Sequence, residues 1–184
     1  SKDDNLRFSN NVLNIIYEIN QSRGPDEKNH IISNSWIMLH TRLSITKPNN
    51  GHQPVFNKSK TAYMIFNGEI YNYKDLAIDY GFVNCESFSD TDILFKLINK
   101  IGFRNTIKKI RGMFSIILVD KRDGSLLVAR DIFGVKPLYW VDKEDAVVFS
   151  SSLNAIPEKL FPYAKAFPPG GVWVNNTFKE RVNP

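Results

Sequence analysis

The residues with the clearest chemical potential are Asn67-Gly68-Glu69, which run on into Ile70-Tyr71-Asn72. Gly68 lacks a Cβ, so its backbone N–H can come close to a ligand. Asn67 puts a side-chain amide donor beside it, and Glu69 adds a carboxylate. Two neutral donors and one anion suit a developing oxyanion next to a substrate cation. The same residues also fit a plain Asn-Gly hairpin turn, and their types alone do not separate the two. A second carboxylate, Asp90, stands with Ser89 at the start of an apolar-periodic stretch. It is either a helix cap or a charge held at a helix mouth and aimed at a ligand.

Several elements must position these groups. Thr61-Ala62-Tyr63-Met64-Ile65 is apolar and β-prone, which predicts a buried strand that ends in the Asn-Gly-Glu run. Ile93, Leu94, Leu97, Ile98 and Ile101 keep a helical period after Asp90, and Gly102 ends it. Earlier, Phe8, Val12, Ile15, Ile16 and Ile19 predict a helix over residues 8–20 that Ser9 can cap. Arg23-Gly24-Pro25-Asp26 breaks it. Residues 35–40 alternate as a strand that can continue through Arg42-Leu43-Ser44-Ile45, and the loop from Lys47 to Gly51 leads into His52-Gln53-Pro54. Residues 71–80 predict a short helix. Strands follow at 114–119, 125–129, 138–141, 146–150 and 172–174, with a helical turn at 152–156. Helices come early and strands cluster late, which favours an α+β fold with antiparallel pairing.

Composition narrows the function. A chain of 184 residues is long enough for one domain with a substantial core. Its hydrophobic content of 42% and charged content of 23% are those of a soluble globular protein. No apolar run approaches the ~18 residues of a membrane span, and the polar opening Ser1-Lys2-Asp3-Asp4-Asn5 is not a signal peptide. The net charge is +5. Its clearest basic cluster, Arg104 to Arg111, interleaves Lys108 and Lys109 with Ile107 and Ile110, which suggests a solvated helix face rather than a nucleic-acid site. The single cysteine, Cys85, excludes an internal disulfide framework and fits the cytoplasm. No Cys/His cluster has metal-ligand spacing.

Taken together, the motifs resemble the class II, N-terminal-nucleophile glutamine amidotransferase domain of asparagine synthetases. The runs that carry the likeness are Arg23-Gly24-Pro25-Asp26, Arg42-Leu43-Ser44-Ile45, Gly51-His52-Gln53-Pro54 and Asn67-Gly68-Glu69-Ile70-Tyr71-Asn72. Ser89-Asp90-Thr91-Asp92, Arg111-Gly112-Met113-Phe114 and Ala129-Arg130-Asp131 through Gly134-Val135-Lys136-Pro137-Leu138-Tyr139 complete the set. The resemblance implies a four-layer αββα sandwich. It implies that Arg42 grips the α-carboxylate of L-glutamine, a task that suits a planar guanidinium. It further implies that Glu69 and Asp90 hold the α-ammonium, that Asn67 and the Gly68 N–H form the oxyanion hole, and that the backbones of Leu43 and Ile45 line the pocket. The domain itself needs no metal or cofactor. ATP and Mg belong to a C-terminal synthetase domain, the expected partner within a longer protein, and a homodimer is left open.

The family nucleophile is a cysteine at the mature N-terminus, whose own α-amino group is the base. This chain opens at Ser1 in a polar run, with no counterpart of the strand that carries that cysteine. Cys85 reads as an ordinary thiol. Residues 1–184 are therefore expected to be an amidotransferase domain without its first strand, a fragment inactive by itself. The alternative is an inert scaffold of the kind seen in relatives resembling β-lactam synthetases. Ser151-Ser152, where the family usually has Ser-Glu, puts contacts to the synthetase domain in question.

Overall fold

The computed structural model describes residues 10–22, 24–43, 51–82, 87–143, 146–175 and 177–181. A six-stranded antiparallel sheet organises them. Its strands are β3 (Val55–Phe56), β4 (Ala62–Ile70), β5 (Gly112–Asp120), β6 (Ser125–Arg130), β10 (Gly171–Val174) and β11 (Thr177–Arg181), in the order β11-β10-β6-β5-β4-β3. A three-stranded sheet combines β7 (Tyr139–Lys143), β8 (Ala146–Ser150) and β9 (Lys165–Ala166) in the order β8-β7-β9, and β1 (Glu27–Ile32) with β2 (Ile37–Arg42) forms a separate hairpin.

The two faces of the large sheet bury different partners. Ala62, Met64, Phe66 and Ile70 alternate along β4 and pack with Leu94, Leu97 and Ile98 of α3 (Asp90–Ile101) and with Leu76 of α2 (Tyr73–Asp79). Val128 and Trp173, on the opposite face, join Leu138 and Phe167, with Trp140 and Phe149 of the small sheet against them. The period of two along each strand thus sorts side chains into a helix-facing core and a sheet-facing core. On the far side, α1 (Asn10–Asn20) meets the turn Leu153–Ala155. The fold is the αββα sandwich expected from the sequence. The basic cluster behaves as expected too: Ile107 at the end of α4 (Phe103–Ile107) and Ile110 are buried, while Arg104, Lys108, Lys109 and Arg111 face solvent.

Some elements differ from the sequence reading. The strand predicted over 61–65 runs on to Ile70, so Asn67-Gly68-Glu69 lies within it rather than beyond its end. Gly112–Ser115 of β5 pairs with Asn67–Ile70 and carries the ladder past the motif. The hairpin-turn alternative for Asn67-Gly68 is thereby excluded. Strands β1, β3, β9 and β11 were not anticipated. The inward stripe of α1 was also misassigned, because Leu13 is buried while Ile15 is exposed. Tyr17, on the same helix, instead meets His30 of β1.

Candidate functional site

Backbone geometry at the outer edge of β4 sets the site. Phe114 of β5 turns toward Asp131: its carbonyl accepts from Asp131 N–H at 2.8 Å and its N–H donates to Asp131 Oδ2 at 3.3 Å. A strand residue directs its N–H and C=O to the same side. Gly68, which sits opposite Phe114, therefore turns its own N–H away from β5 to the outer edge. The residues two before and two after it do the same. Phe66 N–H donates to Gln53 Oε1 at 2.6 Å, and its carbonyl accepts from Gln53 Nε2 at 2.9 Å. Ile70 N–H donates to Asp90 Oδ2 at 3.0 Å. Gly68 N–H lies between these two satisfied donors, and neither it nor the Asn67 amide has a hydrogen-bond partner among the described residues.

Only glycine fits at this crossing. Gly68 has φ +155°, and a Cβ there would sit 2.1 Å from the Met113 carbonyl oxygen. Gly112 mirrors it across the ladder, with φ +159° and a Cβ 2.1 Å from the Glu69 oxygen.

Two elements flank the edge. Ser89 caps α3 in a reciprocal capping box: its side chain accepts from Asp92 N–H, and its own N–H donates to Asp92 Oδ2. Asp90 is thus not the cap. It stands in the first helical turn with Oδ1 accepting from Thr91 N–H at 2.8 Å and Oδ2 committed to β4. Burial pushes its carboxyl above the usual range. The Ile70 and Thr91 N–H groups act against that shift, and the neighbouring Glu69 charge adds to it.

On the other flank is the β1–β2 hairpin. Glu27 is opposite Arg42 and Asn29 is opposite His40, so these four share one face with buried Met38. Glu27 Oε2 meets Arg42 Nη1 at 3.4 Å, and Oε1 takes His52 Nδ1 at 2.8 Å and Asn29 Nδ2 at 2.6 Å. Burial drives the pKa of His40 down to about 4, against the raising influence of the Glu27 charge. Gly51 ties the flanks together. A Cβ built on it would lie 3.7 Å from Arg42 Nη2 and 3.3 Å from Ser89 Oγ. The cationic fork of Arg42 and the mouth of α3 therefore face one another across a single glycine.

The glutamine amidotransferase domain family matches residues 3–166 of the chain. The chain belongs to that family. Among relatives, the asparagine synthetase (glutamine-hydrolysing) of Triphysaria versicolor is 34% identical over 166 residues, 88% of this chain and 28% of its own length. That of Zea mays is 34% identical over 157 residues, 84% of this chain and 26% of its own length. This amidotransferase chain thus spans about a quarter of the relatives it matches. Among solved structures, the glutamine phosphoribosylpyrophosphate amidotransferase from B. subtilis superposes with a TM-score of 0.60 at 23% identity, covering 79% of this chain and 34% of that one. The allosteric regulatory enzyme of purine biosynthesis gives 0.61, also at 23% identity. At that identity the likeness concerns the fold.

Asn67, Gly68 and Glu69 lie along β4, Asp90 bonds to Ile70 of the same strand, and Arg42 approaches the α3 cap across Gly51. Leu43 follows β2 directly and is exposed. Ile45 and Cys85 lie outside the described residues, as does Ser9. Three contributors escaped the sequence reading. Gln53 lay within a quoted motif, but only the fold reveals its pairing with Phe66. Glu27 and His40 gave no signal except period-two alternation with Asn29 and Arg42. Among the described residues no group of His, Cys, Asp and Glu could hold a metal, and no helix is long and apolar enough to cross a membrane.

Proposed function

We propose that this domain binds L-glutamine at the outer edge of β4 and serves as the glutaminase half of an asparagine synthetase-type enzyme. The reading rests chiefly on one observation: the Gly68 N–H turns outward between two satisfied donors, beside the Asn67 amide. That arrangement suits a tetrahedral oxyanion, which needs neutral donors already in place. Arg42 grips the α-carboxylate, Glu69 and Asp90 receive the α-ammonium, and the Leu43 and Ile45 backbones border the pocket. In the full reaction a cysteine thiolate attacks the side-chain amide carbon while Asn67 and Gly68 hold the oxyanion; the C–N bond breaks as the nitrogen takes up a proton and leaves as ammonia, and water then hydrolyses the thioester to release glutamate and the thiol. A synthetase domain with ATP and Mg then delivers that ammonia to activated aspartate. The attacking cysteine is assigned to no residue of Ser1–Pro184. The enzyme's place is the cytoplasm.

Calorimetry with L-glutamine tests the pocket. A dissociation constant within the ~1 μM–1 mM range of enzyme substrates is expected, and Arg42→Ala should abolish binding. In the hydrolysing enzyme, Asn67→Ala should lower kcat by about 100- to 1000-fold, the usual loss for one oxyanion donor. An unchanged kcat removes Asn67 from the role. One observation favours a second reading, an inert scaffold: Arg42 already has Glu27 as counter-ion. Absence of any glutamine heat would select that reading.

A further inference from the structure

We propose that Glu27 is a positioning residue for Arg42, holding the guanidinium so that its opposite flank meets the ligand's α-carboxylate. The inference rests on the glutamine reading above and deepens it. Arg42 is the last residue of β2, and its side chain must hold one rotamer at a strand end. Glu27 supplies the constraint from the adjoining strand. The two are direct partners in the ladder, with Oε2 to Nη1 at 3.4 Å.

Glu27 is itself held. His52 Nδ1 and Asn29 Nδ2 both reach Oε1, at 2.8 and 2.6 Å. Asn29 also donates to the Gln53 carbonyl at 3.1 Å, and Gln53 is clamped to Phe66 of β4. A chain of contacts therefore runs from the β4 edge through Gln53, Asn29 and Glu27 to Arg42. It links the guanidinium to the same strand that carries Asn67 and Gly68. Burial alone would raise the Glu27 carboxyl, but the hydrogen bonds from His52 and Asn29 and the contact with Arg42 leave it below its ordinary range. Glu27 stays ionised wherever Arg42 needs it.

Two effects compete. An anion at Nη1 repels an incoming carboxylate, while a fixed guanidinium avoids the entropy of ordering a long side chain in the complex. Glu27 shares its charge with an imidazole that is largely in water, which damps the repulsion, so orientation prevails.

The test compares L-glutamine with L-glutaminamide, in which the α-carboxylate is replaced by an amide, by calorimetry. Glu27→Gln should weaken glutamine binding about tenfold, the scale of one charge-assisted contact, and leave glutaminamide binding unchanged. His52→Ala, an exposed change that frees one partner of Oε1, should act in the same direction by about two- to threefold, smaller because Asn29 remains on that oxygen. A merely structural role would weaken both ligands equally, and that result overturns the proposal, as does unchanged or tighter glutamine binding in Glu27→Gln. Failure of the pocket reading looks different: the wild type would bind neither ligand, or Arg42→Ala would bind glutamine as well as wild type does.

Discussion

His40 should make this domain acid-sensitive between pH 6.5 and about 4. Burial lowers its pKa from 6.5 to about 4; the Glu27 charge and the Phe66 carbonyl pull up, and Arg42 pulls down. The unfolded chain binds a proton near 6.5 that the folded chain refuses until about 4. Stability from this group is therefore fully present above 6.5 and is lost as pH falls toward 4. A difference of that size corresponds to about 3 kcal/mol over the whole window, of which about 2 kcal/mol is gone by pH 5. For a domain of this length that is a drop in Tm of about 4–8 °C. Glu27 and Asp120 act in the same direction, but both are held below their ordinary values and contribute at lower pH. Asp90, shifted upward, works with the opposite sign. The assay is thermal unfolding from pH 7.5 to 5 for wild type and His40→Gln. The variant can be less stable throughout, but its curve should be flatter over this window by about 2 kcal/mol. Parallel curves would refute the argument, because they would mean that His40 does not exclude its proton in the fold.

Three further outcomes follow from the same edge. Gly68→Ala places a methyl 2.1 Å from the Met113 oxygen at φ +155°. It should destabilise by more than ~3 kcal/mol in denaturant titrations, and near-wild-type stability would show that the strands can part there. Gln53→Leu removes the two hydrogen bonds that the Gln53 side chain makes to the buried Phe66 backbone, with an expected loss of about 2–5 kcal/mol; a loss below 1 kcal/mol would mean that other groups replace the side chain. Asp90→Asn removes a charge that burial disfavours but keeps an oxygen for Ile70 N–H. Because the raised carboxyl weakens the fold once pH exceeds it, Tm at pH 7 should hold or rise. Glutamine affinity should meanwhile fall about tenfold or more, and a lower Tm with unchanged affinity would contradict both halves.

Much of this was legible in the chain. The α3 signal was strong because five aliphatic residues keep one helical period and Gly102 closes it, and the late hairpins were marked by turns between β-prone runs. The donor and acceptor types of Asn67-Gly68-Glu69 were legible as residue types, and the order of seven motifs led to the right family. Its local conformation was not legible. Asn-Gly is a turn signal, and what overrides it is the long-range ladder to β5, in which Gly112 makes room for Glu69 just as Gly68 makes room for Met113.

The sequence supplied the residue types of the proposed site, and its resemblance to the family implied their roles: Arg42 for an anion, Glu69 and Asp90 for a cation, Asn67 and Gly68 for a carbonyl oxygen. Tertiary structure decided which way they point. The outward turn of the Gly68 N–H follows from Phe114 being engaged by Asp131, 17 residues further on. The hold on Arg42 comes from Glu27, 15 residues before it. Such contacts leave no periodic trace, because they depend on strand parity and register across separate elements, and neither exists until the sheet has formed.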